Sequence, residues 1–122
     1  MRSYVAAGMA ALALGVCVLP ACSPAATGPD STSAPPDAVV IEILGMNGDH
    51  SFSPNSLAVP AGRAVVWHNS DFNTHRIALD GGGLDTGDIR PGRFSPRMTL
   101  SDAGRYHCEI HPSMTGALRR AE

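Results

Sequence analysis

Arg63-Ala64-Val65-Val66-Trp67-His68-Asn69 is the stretch that decides the fold. Four consecutive apolar residues include two β-branched ones and a large aromatic, and such residues favour a pleated, buried backbone over a helix. Pro60-Ala61-Gly62 closes a turn just before it, and Asn69, Ser70 and Asp71 supply turn chemistry after it. Reading outward, Val39 to Leu44 is a second β-branched run that predicts a buried strand. Leu57 to Val59 is a short third one. His75 to Leu79 follows the Asn/Asp turn and ends at Gly81-Gly82-Gly83. Leu84 to Ile89 is a weak strand stopped by Pro91-Gly92. Phe94 to Leu100 reads as a strand that Pro96 must break or confine to an edge. Gly104 to Cys108 and Thr115 to Arg119 complete the set. No segment of ten or more residues carries an apolar stripe at helical spacing. Many short strands with frequent turns predict an all-β fold, an antiparallel β-sandwich of seven or eight strands.

The chain has 122 residues with 13 Gly and 10 Pro, a turn-rich composition that suits this reading. Net charge is −2, and all nine basic residues are Arg, so nothing suggests a nucleic-acid footprint. Residues 1–21 read as a leader: Arg2 is followed by an almost wholly apolar Val5 to Leu19, long enough for a signal-peptide core and short for a membrane span. Leu19-Pro20-Ala21-Cys22 resembles a lipobox, which predicts cleavage before Cys22 and a lipid anchor on it; an ordinary signal peptide cut near Ala21 or Ala26 is the alternative. Residues 22–37 lack apolar periodicity and are rich in Pro, Ser, Thr and Ala, which predicts a flexible tether. Residues 38–122 are the expected folded domain. The expected location is therefore outside the cytoplasm, periplasmic or at the cell surface. Of the three cysteines, Cys17 falls in the leader and Cys22 at its end. Cys108 is then the single thiol of the domain and has no partner for an internal disulfide.

The chemistry concentrates in Tyr106-His107-Cys108-Glu109-Ile110-His111-Pro112-Ser113-Met114-Thr115-Gly116. Cys108, His111 and Met114 are spaced by three, which can gather a thiolate, an imidazole and a thioether around one point in a tight loop. That is a soft donor set, and with a second imidazole it describes a blue-copper centre: two His and one Cys in a plane, one weak axial Met. His75, at the start of its own strand, is placed to supply that imidazole. Met46, Phe52, Ile110, Pro112 and Ala117 are candidates to keep water from the site. Each residue alone has a plainer reading: a surface His, an inert buried thiol, a core Met. Their joint spacing is what argues for ligation. His50, His68 and His107 read as surface residues, Trp67 as core packing, Glu109 as a solvated charge, and Asn69 and Asp71 as turn formers.

Two stretches resemble the plastocyanin/azurin family of cupredoxins. Phe52-Ser53-Pro54 with Val59, Gly62, Val66, Trp67, Asn69, Asp71 and His75 is similar to its front half. Gly104 to Cys108, then His111 and Met114, is similar to its back half, and the short Cys-x-x-His-x-x-Met loop is most similar to that of amicyanins. The resemblance runs from about Val39 to Leu118. It implies a Greek-key sandwich, one copper ion cycling between Cu(I) and Cu(II) on His75, Cys108, His111 and Met114, and single-electron transfer to redox protein partners by a monomer, with no enzymatic activity. It also implies that the ring edge of His111 is the electron exit, with Pro112 and Met46 near it. Thr74, Arg76 and Ile110 depart from the pattern; Arg76 stands where many members carry an Asn that ties the two ligand loops together. Three rival readings are compatible with parts of the pattern. Copper storage, delivery or sensing would use a similar ligand set but usually adds Met or His clusters, which are missing. A Cys108–His nucleophile pair leaves Met114 unexplained. A structural Zn site usually takes more thiolates and no thioether.

Overall fold

Val39 to Ile43 does form a strand, and it lies beside the Arg63–Asn69 stretch because both are β-branched runs with one face to bury. A computed structural model describes residues 31–100 and 103–122. The leader, the lipobox cysteine and the start of the tether fall outside the described residues. Among the described residues there are nine strands: β1 (Ala38–Ile43), β2 (Phe52–Ser53), β3 (Ser56–Val59), β4 (Ala64–Asn69), β5 (His75–Leu79), β6 (Asp85–Ile89), β7 (Met98–Thr99), β8 (Gly104–Cys108) and β9 (Thr115–Arg120). The one helical piece among them is a 3-10 turn, Gly48–His50.

The strands form two sheets, ordered β2-β1-β4-β7 and β3-β9-β8-β5-β6. The all-β sandwich expected from the sequence is present, with two refinements. Its sheets are mixed, because β1 runs parallel to β4 (Ala38 opposite Ala64, Ile43 opposite Asn69) and β3 parallel to β9. The ninth strand is β2, two residues held against the end of β1 and too short to show a period. Neither feature has a local signature, since pairing direction is set by which connections cross between sheets.

Pro96 breaks the expected Phe94–Leu100 strand, and the one strand left of it is Met98–Thr99, paired with β4 at the sheet edge. Upstream of the break, buried Ser95 replaces the ladder: its Oγ accepts the Trp67 N–H at 2.9 Å and its own N–H donates to the Trp67 carbonyl at 2.8 Å. Phe94 bridges to His68 and to Ser31. Thus the last part of the stretch read as tether, Ser31 to Asp37, touches the domain. The Phe94 N–H donates to the Ser31 carbonyl at 2.9 Å, and Arg97 forks onto Asp37.

Between the sheets, Trp67 and Tyr106 are fully buried. Tyr106 meets Phe52 edge-on at 4.9 Å and Trp67 at 5.5 Å between ring centroids. Such pairs contribute about 0.5–1.5 kcal/mol each beyond their buried area. Ile41, Ile43, Ile77, Ile89 and Leu118 fill the space around them. This packed core anchors one end of the sandwich, because Tyr106, Ile77 and Asn69 lie on the strands that lead into it.

Candidate metal centre

At that end three loops meet. The first runs from Asn69 at the end of β4 to His75 at the start of β5. Asn69 is fully buried and builds this loop with its side chain: Nδ2 donates to the carbonyls of Asn73 (2.7 Å) and Ile89 (2.8 Å), and Oδ1 accepts the Asp71 N–H (3.0 Å). The expected turn role of Asn69 is therefore observed, and its effect is to fix where His75 begins. The second loop runs from Cys108 to Met114. The Met114 N–H donates to the His111 carbonyl at 3.0 Å, a β-turn with Pro112 in the position its fixed φ suits. The Cys108 N–H donates to the Met114 carbonyl at 3.1 Å, which closes the loop on itself. The third, Leu44 to Met46 after β1, runs beside Asp71, whose carboxyl a Cβ on Gly45 would meet at 3.6 Å, and the Gly45 φ of 133° belongs to the region glycine favours.

His75 Nδ1 lies 3.6 Å from Cys108 Sγ, His111 Nδ1 lies 3.7 Å from it, and the two Nδ1 atoms are 3.2 Å apart. A triangle with those edges has a circumradius of about 2.0 Å, so a cation in its plane would stand at bonding distance, roughly 2.0–2.3 Å, from each N and S donor. His75 and Cys108 are buried and His111 is half-buried. Of the four residues expected as ligands, three converge as a donor triangle. Met114 is also fully buried, with its main chain tied to both Cys108 and His111.

One participant was missed by sequence reasoning. Asp71 Oδ2 sits 2.8 Å from His75 Nε2. A carboxylate there places the ring hydrogen on Nε2 and leaves the Nδ1 lone pair facing the triangle, the usual arrangement behind a metal-binding imidazole. The i,i+4 spacing of Asp71 and His75 was visible, but in a loop that spacing carries no rule. The hydrogen bond to His75, helped by one from Asn73, holds the Asp71 carboxyl down at about 2. Burial disfavours the charged form of His75, yet its bonds to Cys108 and Asp71 prevail and raise it above its ordinary value. Burial likewise pushes the Cys108 thiol up, but hydrogen bonds from His75, from main-chain groups of Arg76 and His111 and from the His111 ring bring it to about 6. A thiol so placed is readily present as the thiolate that soft metals take.

The expected apolar shield is only partly there. Phe52 is buried, whereas Met46 and Ile110 are 56% and 46% exposed. Together with Leu44 and the almost fully exposed Phe72 they leave apolar side chains facing solvent on the loops of this end. Of the histidines read as surface residues, His50 is exposed, while His68 and His107 are half-buried and held by Glu42 and Asp80 at 2.7 and 2.6 Å.

A two-sheet β-sandwich with a His-Cys-His triangle in the loops at one end defines the class: the fold is that of the cupredoxins, and the cluster has the donors and the spacing to hold one copper ion. Similar solved structures within that class include amicyanins. A reduced tryptophan-to-tyrosine mutant of amicyanin superposes with a TM-score of 0.65 at 20% identity, covering 79% of this chain and 94% of that one. Amicyanin from Paracoccus versutus gives 0.63 at 21% identity over 79% and 93%. A reduced Cu(I) form of a proline-to-glycine amicyanin mutant gives 0.60 at 22% identity over 75% and 94%. No protein-family model matches the chain, and no curated protein sequence matches it. Among the described residues no helix is long and apolar enough to cross a membrane.

Proposed function

We propose that this chain is an exported electron carrier that holds one copper ion on His75, Cys108, His111 and Met114. The observation that carries the reading is the donor triangle, whose edges fit a small soft cation before any ion is added. Bound there, copper supplies a one-electron couple between Cu(I) and Cu(II). The chain's own residues supply the rest. Asp71 fixes the tautomer and the angle of the His75 ring. Asn69 and the closed Cys108–Met114 loop hold the donors on a stiff scaffold, so little rearranges when the charge changes. Met114, fully buried in the loop it helps to close, would offer the ion its thioether as a further, weak donor. His111 is the half-buried donor of the triangle while His75 and Cys108 are buried, so it is the one that reaches the surface, and its ring edge is the exit toward a redox protein partner. In this reading residues 1–21 are removed, Cys22 carries the lipid anchor, and residues 38–122 form a monomeric domain outside the cytoplasm.

The test is electron exchange by the Cu-loaded domain. Rapid self-exchange, measured by NMR line broadening of mixed Cu(I)/Cu(II) samples, supports a carrier. Slow exchange together with ready loss of Cu(I) to a chelator of matched affinity would assign the chain to copper delivery instead. Metabolic labelling with a fatty-acid analogue tests the anchor, which Cys22→Ala must abolish.

A further inference from the structure

Arg76 follows His75 directly and faces two ways. Its main chain belongs to the metal centre. Ile77 is in register with Cys108 across β5 and β8, and the Arg76 carbonyl accepts the Glu109 N–H at 2.7 Å. The Arg76 side chain leaves for the far edge, where Nε and Nη2 fork onto Asp85 Oδ1 and Oδ2 at 2.9 and 2.6 Å. Asp85 is itself pinned by the Gly87 N–H at 2.9 Å.

The fork spans an irregularity. The register between β5 and β6 shifts between Arg76 and Ala78, and the Ile77 N–H is taken up by the Thr86 hydroxyl at 2.9 Å. Arg76 keeps its register with Asp88, but the slip begins at the next residue, so the peptide joining Arg76 to Ile77 has a side-chain hydroxyl where a regular ladder would give a main-chain partner. A bidentate guanidinium–carboxylate pair is planar and directional, so it restores the missing restraint.

We propose that the Arg76–Asp85 fork is a positioning clamp for the metal centre, fixing the Arg76 peptide whose carbonyl holds the Glu109 N–H directly beside Cys108. The chain thereby does with a side-chain fork at the sheet edge what a tie between ligand loops would otherwise do. The clamp rests on the copper reading for its spectroscopic readout alone.

The experiment compares wild type with Arg76→Gln, Arg76→Lys, Asp85→Asn and the Gln/Asn double variant. In the metal-free domain, amide hydrogen exchange at Glu109 should speed up roughly tenfold in every single variant. It should rise no further in the double variant, because one interaction is lost only once. Arg76→Lys keeps the charge without the fork and should match Arg76→Gln. In the Cu(II)-loaded domain the thiolate-to-copper band should shift in the same direction for Arg76→Gln and Asp85→Asn. Wild type in 1 M salt, where an exposed pair is screened, should move toward the variants. Overturning results are wild-type exchange at Glu109 in the variants, wild-type behaviour of Arg76→Lys, no response of wild type to salt, or band shifts of opposite sign, which mark through-space charge. A domain that gives no such band while the exchange results hold sinks the copper reading and leaves the clamp.

Discussion

Replacing Gly116 by Ala probes whether the core really delivers the ligand loop as described. A methyl built on Gly116 lands on the Tyr106 ring, overlapping its hydroxyl-bearing end and approaching Cε2 to 2.8 Å. The ring cannot retreat freely, since it is fully buried between Phe52 and Trp67. Forcing one extra carbon into a packed core costs about 1–3 kcal/mol. Against that stands a gain of roughly 0.5–1 kcal/mol from removing a strand glycine. The net loss is about 1–2 kcal/mol, or, for a domain of this size at 4–8 °C per kcal/mol, a fall in Tm of roughly 5–15 °C. Thermal unfolding of the metal-free domain by circular dichroism reads it. Because Gly116 lies two residues past Met114 and Tyr106 two before Cys108, the Cu(II) spectrum should also change. An unchanged or raised Tm would refute the packing argument, since the entropic gain would then be the larger effect.

Asn69→Ala strips partners from the buried Ile89 carbonyl, the Asn73 carbonyl and the Asp71 amide and should cost about 2 kcal/mol in urea unfolding; a loss under about 0.5 kcal/mol would mean that the loop does not depend on it. Asp71 is held at about 2 against an ordinary 3.8, so its contribution is complete above pH 4 and is lost as pH falls toward 2. Acid unfolding of metal-free Asp71→Asn should therefore be flatter than wild type between those limits, and parallel curves would contradict the Asp71–His75 bond. With copper bound, the same variant should show a higher reduction potential by voltammetry, because the carboxylate favours the more charged ion; a lower one would reverse the argument. Met114→Leu should keep the thiolate-to-copper band and raise the potential by tens of millivolts, where 59 mV is a tenfold change in the one-electron equilibrium. Loss of the band would make Met114 more than an axial donor.

Much of this architecture was written locally. Trp67 and its β-branched neighbours announced a buried strand, Pro96 announced the break, and the spacing of Cys108 and His111 announced that their side chains meet. What escaped is non-local. Parallel pairing of β1 with β4 depends on how the chain crosses between sheets. Asp71 has no motif that marks it as the partner of His75. Arg76 looked like a departure from a pattern, and its fork reaches Asp85 across the place where the β5–β6 register shifts, which no local pattern marks. Ser31 read as tether because polar, turn-rich sequence says nothing about a single bridge to Phe94. Met46 and Ile110 were placed at the right end of the molecule, but hydrophobicity alone does not say whether a loop side chain turns toward the site or toward solvent.

The central claim is that His75, Cys108 and His111 close around one copper ion. The most direct measurement is the visible and electron spin resonance spectrum of the Cu(II)-loaded domain. The account predicts an intense thiolate-to-copper band toward the red and a small copper hyperfine splitting, both abolished by Cys108→Ser. A colourless domain, or a spectrum that survives Cys108→Ser, would contradict it.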